Sequence, residues 1–270
     1  MDTMYALLMR KKWGQKGPFL TPKLVNYYLQ ATTGKINDLA FPYKIDTIVI
    51  FPGYLSKSKF NIKHFWLKFF DKVNKKVDCI IAEGMNGNSK KSLEVTLKEN
   101  VKEIKKYTKS APLLISSSRD YSKSIFFLQN KDASSMDNLK GFFKDYHLDS
   151  TFDKENDNVL KEDKKDLTEK FNKEEFARII ENNFKVKAIL VGSSNLSYQT
   201  YYKSRADKGE KDVFLFDANL YDKEEIEFKE KIKKISPSTP DILLFKEVEK
   251  FDLNKMMSDE IDELESFYGL

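Results

Sequence analysis

The chain predicts an α/β fold: a mixed, mostly parallel sheet flanked by helices on both faces. Two observations carry this expectation. Short β-branched runs such as "IDTIVIF" and "VKAILVG" alternate along the chain with stretches whose apolar residues recur at helical spacing. Gly, Pro and Asn clusters punctuate the boundaries between them. Strands separated by helices form crossover units, and these build parallel sheets covered on both sides. A hydrophobic fraction of 40% and an aromatic fraction of 13% over 270 residues suffice to fill such a core.

The N-terminal region holds a short apolar run, "MYALL", a Gly-Pro turn, and "TPKLVNYYLQATTG", which predicts a helix ending at Gly34. Residues 45–55 predict a strand broken by Pro52-Gly53. Ile62, Phe65, Trp66, Phe69, Phe70 and Val73 form the apolar stripe of an amphipathic helix. A strand follows over 77–83, then a loop, "GMNGNS", and a second helix marked by Leu93, Leu97, Val101 and Ile104. "APLLISSS" and "SIFFLQN" predict two further strands. Residues 144–174 are charged and thin in apolar side chains, which predicts a solvated insertion.

Beyond it, Asn172 and Glu175 form a capping box for a helix near 173–184 that buries Phe176, Ile179 and Ile180. Strands "VKAILVG" and "DVFLFD" come next, then a charged helix over 222–235, a strand "ILLFKEV", and a helical tail with Ile261, Leu264 and Phe267 on one side. The alternation predicts one domain over 1–270, with its core at 45–217, the insertion at 144–174 and an extension over 218–270. No internal repeat is visible.

Composition narrows the chemistry. The net charge of +5 is compatible with a polyanionic partner without demanding one. Cys79 is the sole cysteine, so neither an internal disulfide framework nor a cysteine-cluster zinc site can be built. It sits in the apolar run "VDCIIAEG", as an inert core thiol does. His64 and His147 are the only histidines, too few for a multi-histidine metal centre. His64 lies beside the stripe of the 62–73 helix and reads as structural. His147 lies in the charged insertion. No stretch is long and apolar enough to span a membrane, and the first residues lack the order of a signal peptide, so a cytoplasmic protein without membrane contact is expected.

Open α/β sheets keep their sites at strand ends, which directs attention to two segments. One strand ends in Gly192-Ser193-Ser194-Asn195. Glycine permits close backbone approach, and the hydroxyl and amide can donate to phosphate oxygens. Upstream, in "SRDYSKSIFF", Tyr121 and Lys123 stand two apart at a strand start and so share a face. Glu210 and Asp212 bracket the start of another strand. The bland reading of the first segment is turn chemistry, and of the last, surface charge. After the glycine segment, Tyr198, Tyr201 and Tyr202 are followed by Lys203 and Arg205. Aromatics that stack bases beside cations that neutralise phosphates suit a nucleic-acid groove, and they equally suit a helix packing its tyrosines inward.

Taken together, x-x-Lys before an apolar strand and Gly-Ser-x-Asn on another resemble the phospholipase D-like superfamily over residues 45–217. In that family a His-x-Lys pair and a Gly-Ser-x-Asn segment cradle a phosphodiester, the histidine attacks phosphorus, and no metal or other cofactor takes part. Several single-motif bacterial members are nucleases of restriction-endonuclease type that dimerise to complete the site. The resemblance implies Lys123, Ser193 and Asn195 as phosphate ligands and Glu210 as the following acidic residue. It also implies DNA as partner, along Tyr198, Tyr201, Lys203 and Arg205, and a homodimer. Two features depart from the pattern: Tyr121 stands in the place of the histidine, and residues 130–187 separate the half-motifs. Tyrosine can attack phosphorus, so Tyr121 is the candidate nucleophile. The alternative is a degenerate member that binds nucleic acid or protein without cutting. A metal-dependent nuclease would need a carboxylate and lysine sharing a strand face. "EGMNG" after Glu83 lacks the lysine, and Lys211 adjoins Glu210 on the opposite face.

Overall fold

Side chains on successive strand residues point to opposite faces, and in this chain both faces are apolar, so the sheet must be covered twice. The structure is a computed structural model and describes residues 3–11, 20–34, 41–51, 63–64, 69–70, 73, 77–84, 103–110, 112–117, 123–145, 173–192, 211–217, 226–227, 230, 241–249 and 252–262. Its strands are β1 (Thr3–Lys11), β2 (Thr47–Phe51), β3 (Asp78–Gly84), β4 (Leu113–Ser117), β5 (Ser124–Asn130), β6 (Phe184–Gly192), β7 (Lys211–Asp217) and β8 (Asp241–Glu249). They form one sheet in the order β4-β3-β2-β5-β6-β7-β1-β8.

The sheet is mixed, but the expectation of a mostly parallel one is overturned. Only β2–β3 and β3–β4 pair parallel. The pairings β2–β5, β5–β6, β6–β7, β7–β1 and β1–β8 are all antiparallel. The step from β5 to β6 shows the physical reason. A single helix carries the chain back to the end where the first strand began, which gives a parallel partner. Here two helices intervene, α2 (Ser135–Asp145) and α3 (Lys173–Asn183), so β6 begins where β5 stopped. Only the second was expected. The apolar residues of α2, Met136, Leu139, Phe142 and Phe143, sit among Asp, Asn, Lys and Gly, which hides its periodicity. β1 and β8 add two further antiparallel pairings to the far side of the sheet.

One face packs Tyr5, Leu7 and Met9, Ile48 and Ile50, Ile125 and Phe127, Ala188 and Leu190, and Phe214 and Phe216 beneath α1 (Leu20–Thr33). Tyr28 of α1 meets Phe41, Phe127 and Phe214 edge-on at centroid distances of 5.0–5.5 Å, a favourable aromatic geometry. The other face packs Met4, Val49, Phe51, Phe126, Leu128, Ile189 and Leu215. Three helices supply its cover: α2, α3 through Phe176 and Ile180, and α4 (Leu253–Asp262) through Leu253 and Met257.

α1 holds its expected limits. Pro22 lies in the first turn, where a missing N–H costs nothing, and Gly34 N–H reaches Gln30 O at 3.2 Å beyond the last turn. α4 begins earlier than the expected tail helix because the Asp252 carboxylate accepts from the N–H groups of Asn254 and Lys255. Phe69 and Phe70 are buried, as the stripe requires, and Ile104 is buried. The rest of those two helices, residues 146–172, Asn172 and most of 222–235 lie outside the described residues. Among the described residues no helix is long and apolar enough to cross a membrane.

Candidate functional site

The antiparallel pairing of β5 with β6 brings Lys123 and Gly192 side by side. β5 starts and β6 ends at the same edge of the sheet, and the Gly192 N–H donates to Lys123 O at 3.1 Å. Gly192 in turn pairs with Asp212, and Asp212 with Met9. Lys123, Gly192, Asp212 and Met9 therefore form one row across β5, β6, β7 and β1. Strand alternation fixes their face. Lys123 stands two before Ile125, Gly192 two after Leu190, and Asp212 two before Phe214, all of which pack under α1. The row thus lies on the α1 side, at the end of the sheet where α1 begins.

Gly192 is required here by close approach. A Cβ built on it would overlap Asp212 Oδ1 and come within 2.8 Å of Lys211 O. The Asp212 carboxylate therefore leans over β6, toward the strand that carries Lys123. Two sheet spacings, about 10 Å, separate β5 from β7, so a substituent at position 192 would fill the gap between cation and anion. Asp212 is 2% exposed, and Thr21 Oγ1 in the first turn of α1 donates to its Oδ2 at 2.7 Å. Thr21 Oγ1 also lies 3.6 Å from Met9 Sδ, a much weaker acceptor. A negative charge at a helix N-terminus is electrostatically favoured. Lys123 and Gly192 are only partly buried, in contrast to Asp212. β1, β2, β3, β4 and β6 end, and β5, β7 and β8 begin, at this edge of the sheet.

Of the expected site residues, Lys123 is placed in this row. Tyr121, Ser193, Asn195 and Glu210 lie outside the described residues, as do Tyr198, Tyr201, Lys203 and Arg205. Ser193 follows Gly192 directly in the chain, and Glu210 precedes Lys211. Glu83, the other candidate carboxylate, is on β3, which β2 separates from β5. His64 is partly buried in a helical stretch, and His147 lies outside the described residues. Cys79 is buried, and burial, with Asp78 adding, pushes its thiol well above the usual range, so it is an inert core thiol.

Thr21 is the residue of this cluster that motif spacing does not single out, and Asp212, noted beside Glu210 at a strand start, is buried rather than a surface charge. A signal exists for Asp212. In "DVFLFD" it shares the face of Phe214 and Phe216, and a carboxylate on a buried face demands a partner. Thr21 is identified only by the packing of α1.

A second charged cluster stands at the opposite end of the same strands. Lys187 Nζ and Asp217 Oδ2 are 3.0 Å apart, and both residues are under a tenth exposed. The ammonium lies 4.7 Å from the centroid of the Tyr43 ring, and the Tyr43 hydroxyl donates to Asp217 O at 2.7 Å. Tyr28 Oη is 3.2 Å from Tyr43 Oη. Burial, reinforced by Tyr28 and Asp217, drives the Tyr43 phenol well above its usual range, and burial also raises Tyr28. These phenols stay protonated and act as hydrogen-bond donors.

No protein-family model matches the chain, and no characterised protein matches it significantly.

Proposed function

We propose that this protein is a phospholipase D-like phosphodiesterase, a DNA-directed nuclease of restriction-endonuclease type that works without a metal as a cytoplasmic homodimer. The observation that carries the reading is the pairing of Lys123 with Gly192 on one sheet face. A lysine and the start of a Gly-Ser-x-Asn segment stand on adjacent strands, as a shared phosphate cradle requires. The donors this assembles are a cation and neutral hydroxyl and amide groups, which stabilise the charge developing on non-bridging oxygens. Lys123 and Asn195 hold those oxygens, Ser193 orients Asn195, and Glu210 accepts or positions a proton. Tyr121 attacks phosphorus, displaces one strand's oxygen and forms a phosphotyrosine that water then releases. A phenol ionises near pH ~10, so the neighbouring Lys123 assists its deprotonation. Tyr198, Tyr201, Lys203 and Arg205 supply stacking and phosphate contacts along the strand.

The presence of Tyr121 in the histidine's place favours a second reading, a site that binds nucleic acid or a protein partner without cutting. A nuclease assay on wild type, Tyr121→Phe and Tyr121→His, with and without EDTA, separates the two. Loss of metal-independent cleavage in Tyr121→Phe identifies tyrosine as the nucleophile. Cleavage gained only in Tyr121→His marks a disarmed site. Inactivity of all three, with salt-dependent DNA binding, selects the binding module. Cleavage strictly requiring Mg²⁺ overturns the mechanism.

A further inference from the structure

The phosphodiesterase reading leaves Asp212 without a task, although its position is costly. A carboxylate on the buried face of a sheet is expensive unless its oxygens are held. Here one oxygen accepts from Thr21 at 2.7 Å, and the other lies over Gly192 where no side chain stands. The carboxylate therefore joins three elements: the first turn of α1, the start of β7 and the end of β6. Gly192 is also the residue whose N–H pairs with Lys123 O. The buried anion stands in the same row and on the same face as two partly buried residues, Lys123 and Gly192.

We propose that Asp212, clamped by Thr21, is a positioning residue of this site, holding Gly192 in register with Lys123 from the α1 side. It acts through the backbone of Gly192 rather than by touching substrate. The proposal rests on the phosphodiesterase reading for its purpose, but the clamp itself is testable without it. Small displacements of positioned donors lower turnover by about 10²-fold per ångström, so loosening the clamp should be read in kcat more than in KM.

The experiment compares wild type with Thr21→Val, which removes the donor at constant shape, Thr21→Ser, which keeps it, and Asp212→Asn, which keeps shape and removes charge. Cleavage of a duplex oligonucleotide and the backbone amide NMR spectrum are both recorded. Thr21→Val should lower kcat by about 10-fold with KM little changed, and Thr21→Ser should restore it. The Gly192 and Ser124 amide resonances should move in Thr21→Val while those of Lys187 and Asp217 stay. A drop in melting temperature with kcat unchanged and the Gly192 amide unmoved overturns the proposal. If wild type cuts nothing, the nuclease reading falls while the Gly192 amide still decides the clamp. If Thr21→Val does not fold, Asp212→Asn carries the same two readouts.

Discussion

Two lysine–aspartate arrangements occupy opposite ends of the β5–β7 strands, and they differ in what fills the space between the charges. At one end Lys187 and Asp217 touch, both buried, with Tyr43 over the ammonium and the Tyr28–Tyr43 hydroxyls closing the cluster. At the other, Lys123 and Asp212 lie on either side of Gly192, and the lysine is partly exposed. The first pair carries strongly perturbed tyrosines and would head any search for unusual titration behaviour. It is nevertheless sealed by its own aromatics. The second has a partly buried lysine and, between the charges, a residue without a side chain. Burial and perturbed ionisation report how tightly a charge is held, while a site is recognised by the room left beside it.

The largest expected effect lies in the sealed cluster. Asp217→Ala leaves the Lys187 ammonium buried and unpaired, and should cost about 3–5 kcal/mol in urea unfolding. Cleavage per folded molecule should be unchanged. Replacing both partners together, as Lys187→Met with Asp217→Leu, should recover most of that loss. If the double variant is as unstable as Asp217→Ala, the cluster contributes more than a charge pair.

Gly192→Ala is the intermediate case. The added methyl would collide with the Asp212 carboxylate and the Lys211 backbone, so a cost of about 1–3 kcal/mol is expected, together with loss of cleavage. Retained activity would mean that the approach at this row is looser than described. Lys123→Ala comes next. Its side chain is partly exposed, so stability should change by less than about 0.5 kcal/mol, in contrast to its counterpart Lys187. A change as large as that of Asp217→Ala would erase the distinction between the two ends.

The smallest effect concerns α2, away from both clusters. Hydrogen bonds from Ser134, and then Ser135, hold the exposed Asp132 carboxyl below its usual range. A depressed carboxyl contributes stability above its unfolded-state value, and that contribution is lost as pH falls through the folded-state value. The protection factors of amides in the first turn of α2, corrected for the intrinsic pH dependence of exchange, should therefore fall slightly in acid relative to pH 7, and Asp132→Ala should abolish that fall. A dependence of equal size in the variant would assign it to another group.

Much of the element order was legible because it rests on local periodicity. The strand before Pro52-Gly53, the limits of α1 and the run ending at Gly192 are all marked in this way. Strand direction was not, because it depends on how many helices lie between strands. The apolar positions of α2 are too diluted by polar neighbours to reveal the second one. The site divides in the same way. Lys123, Gly192 and Asp212 were visible at the ends of apolar runs, whereas Thr21 stands 191 residues from Asp212 and meets it only through packing. A strand pattern that places Asp212 beside phenylalanines announces that it needs a partner, but it does not say which helix provides one.

We propose that this end of the sheet, built on Lys123 and Gly192, cuts phosphodiesters without metal. The direct measurement is nicking of supercoiled plasmid DNA in excess EDTA by wild type and by Lys123→Ala, with folding of both verified by circular dichroism. Wild type should cut in the chelator, and the variant should be slower by about 10²–10³-fold. Cleavage that requires Mg²⁺, or equal cleavage by both proteins, would contradict the account.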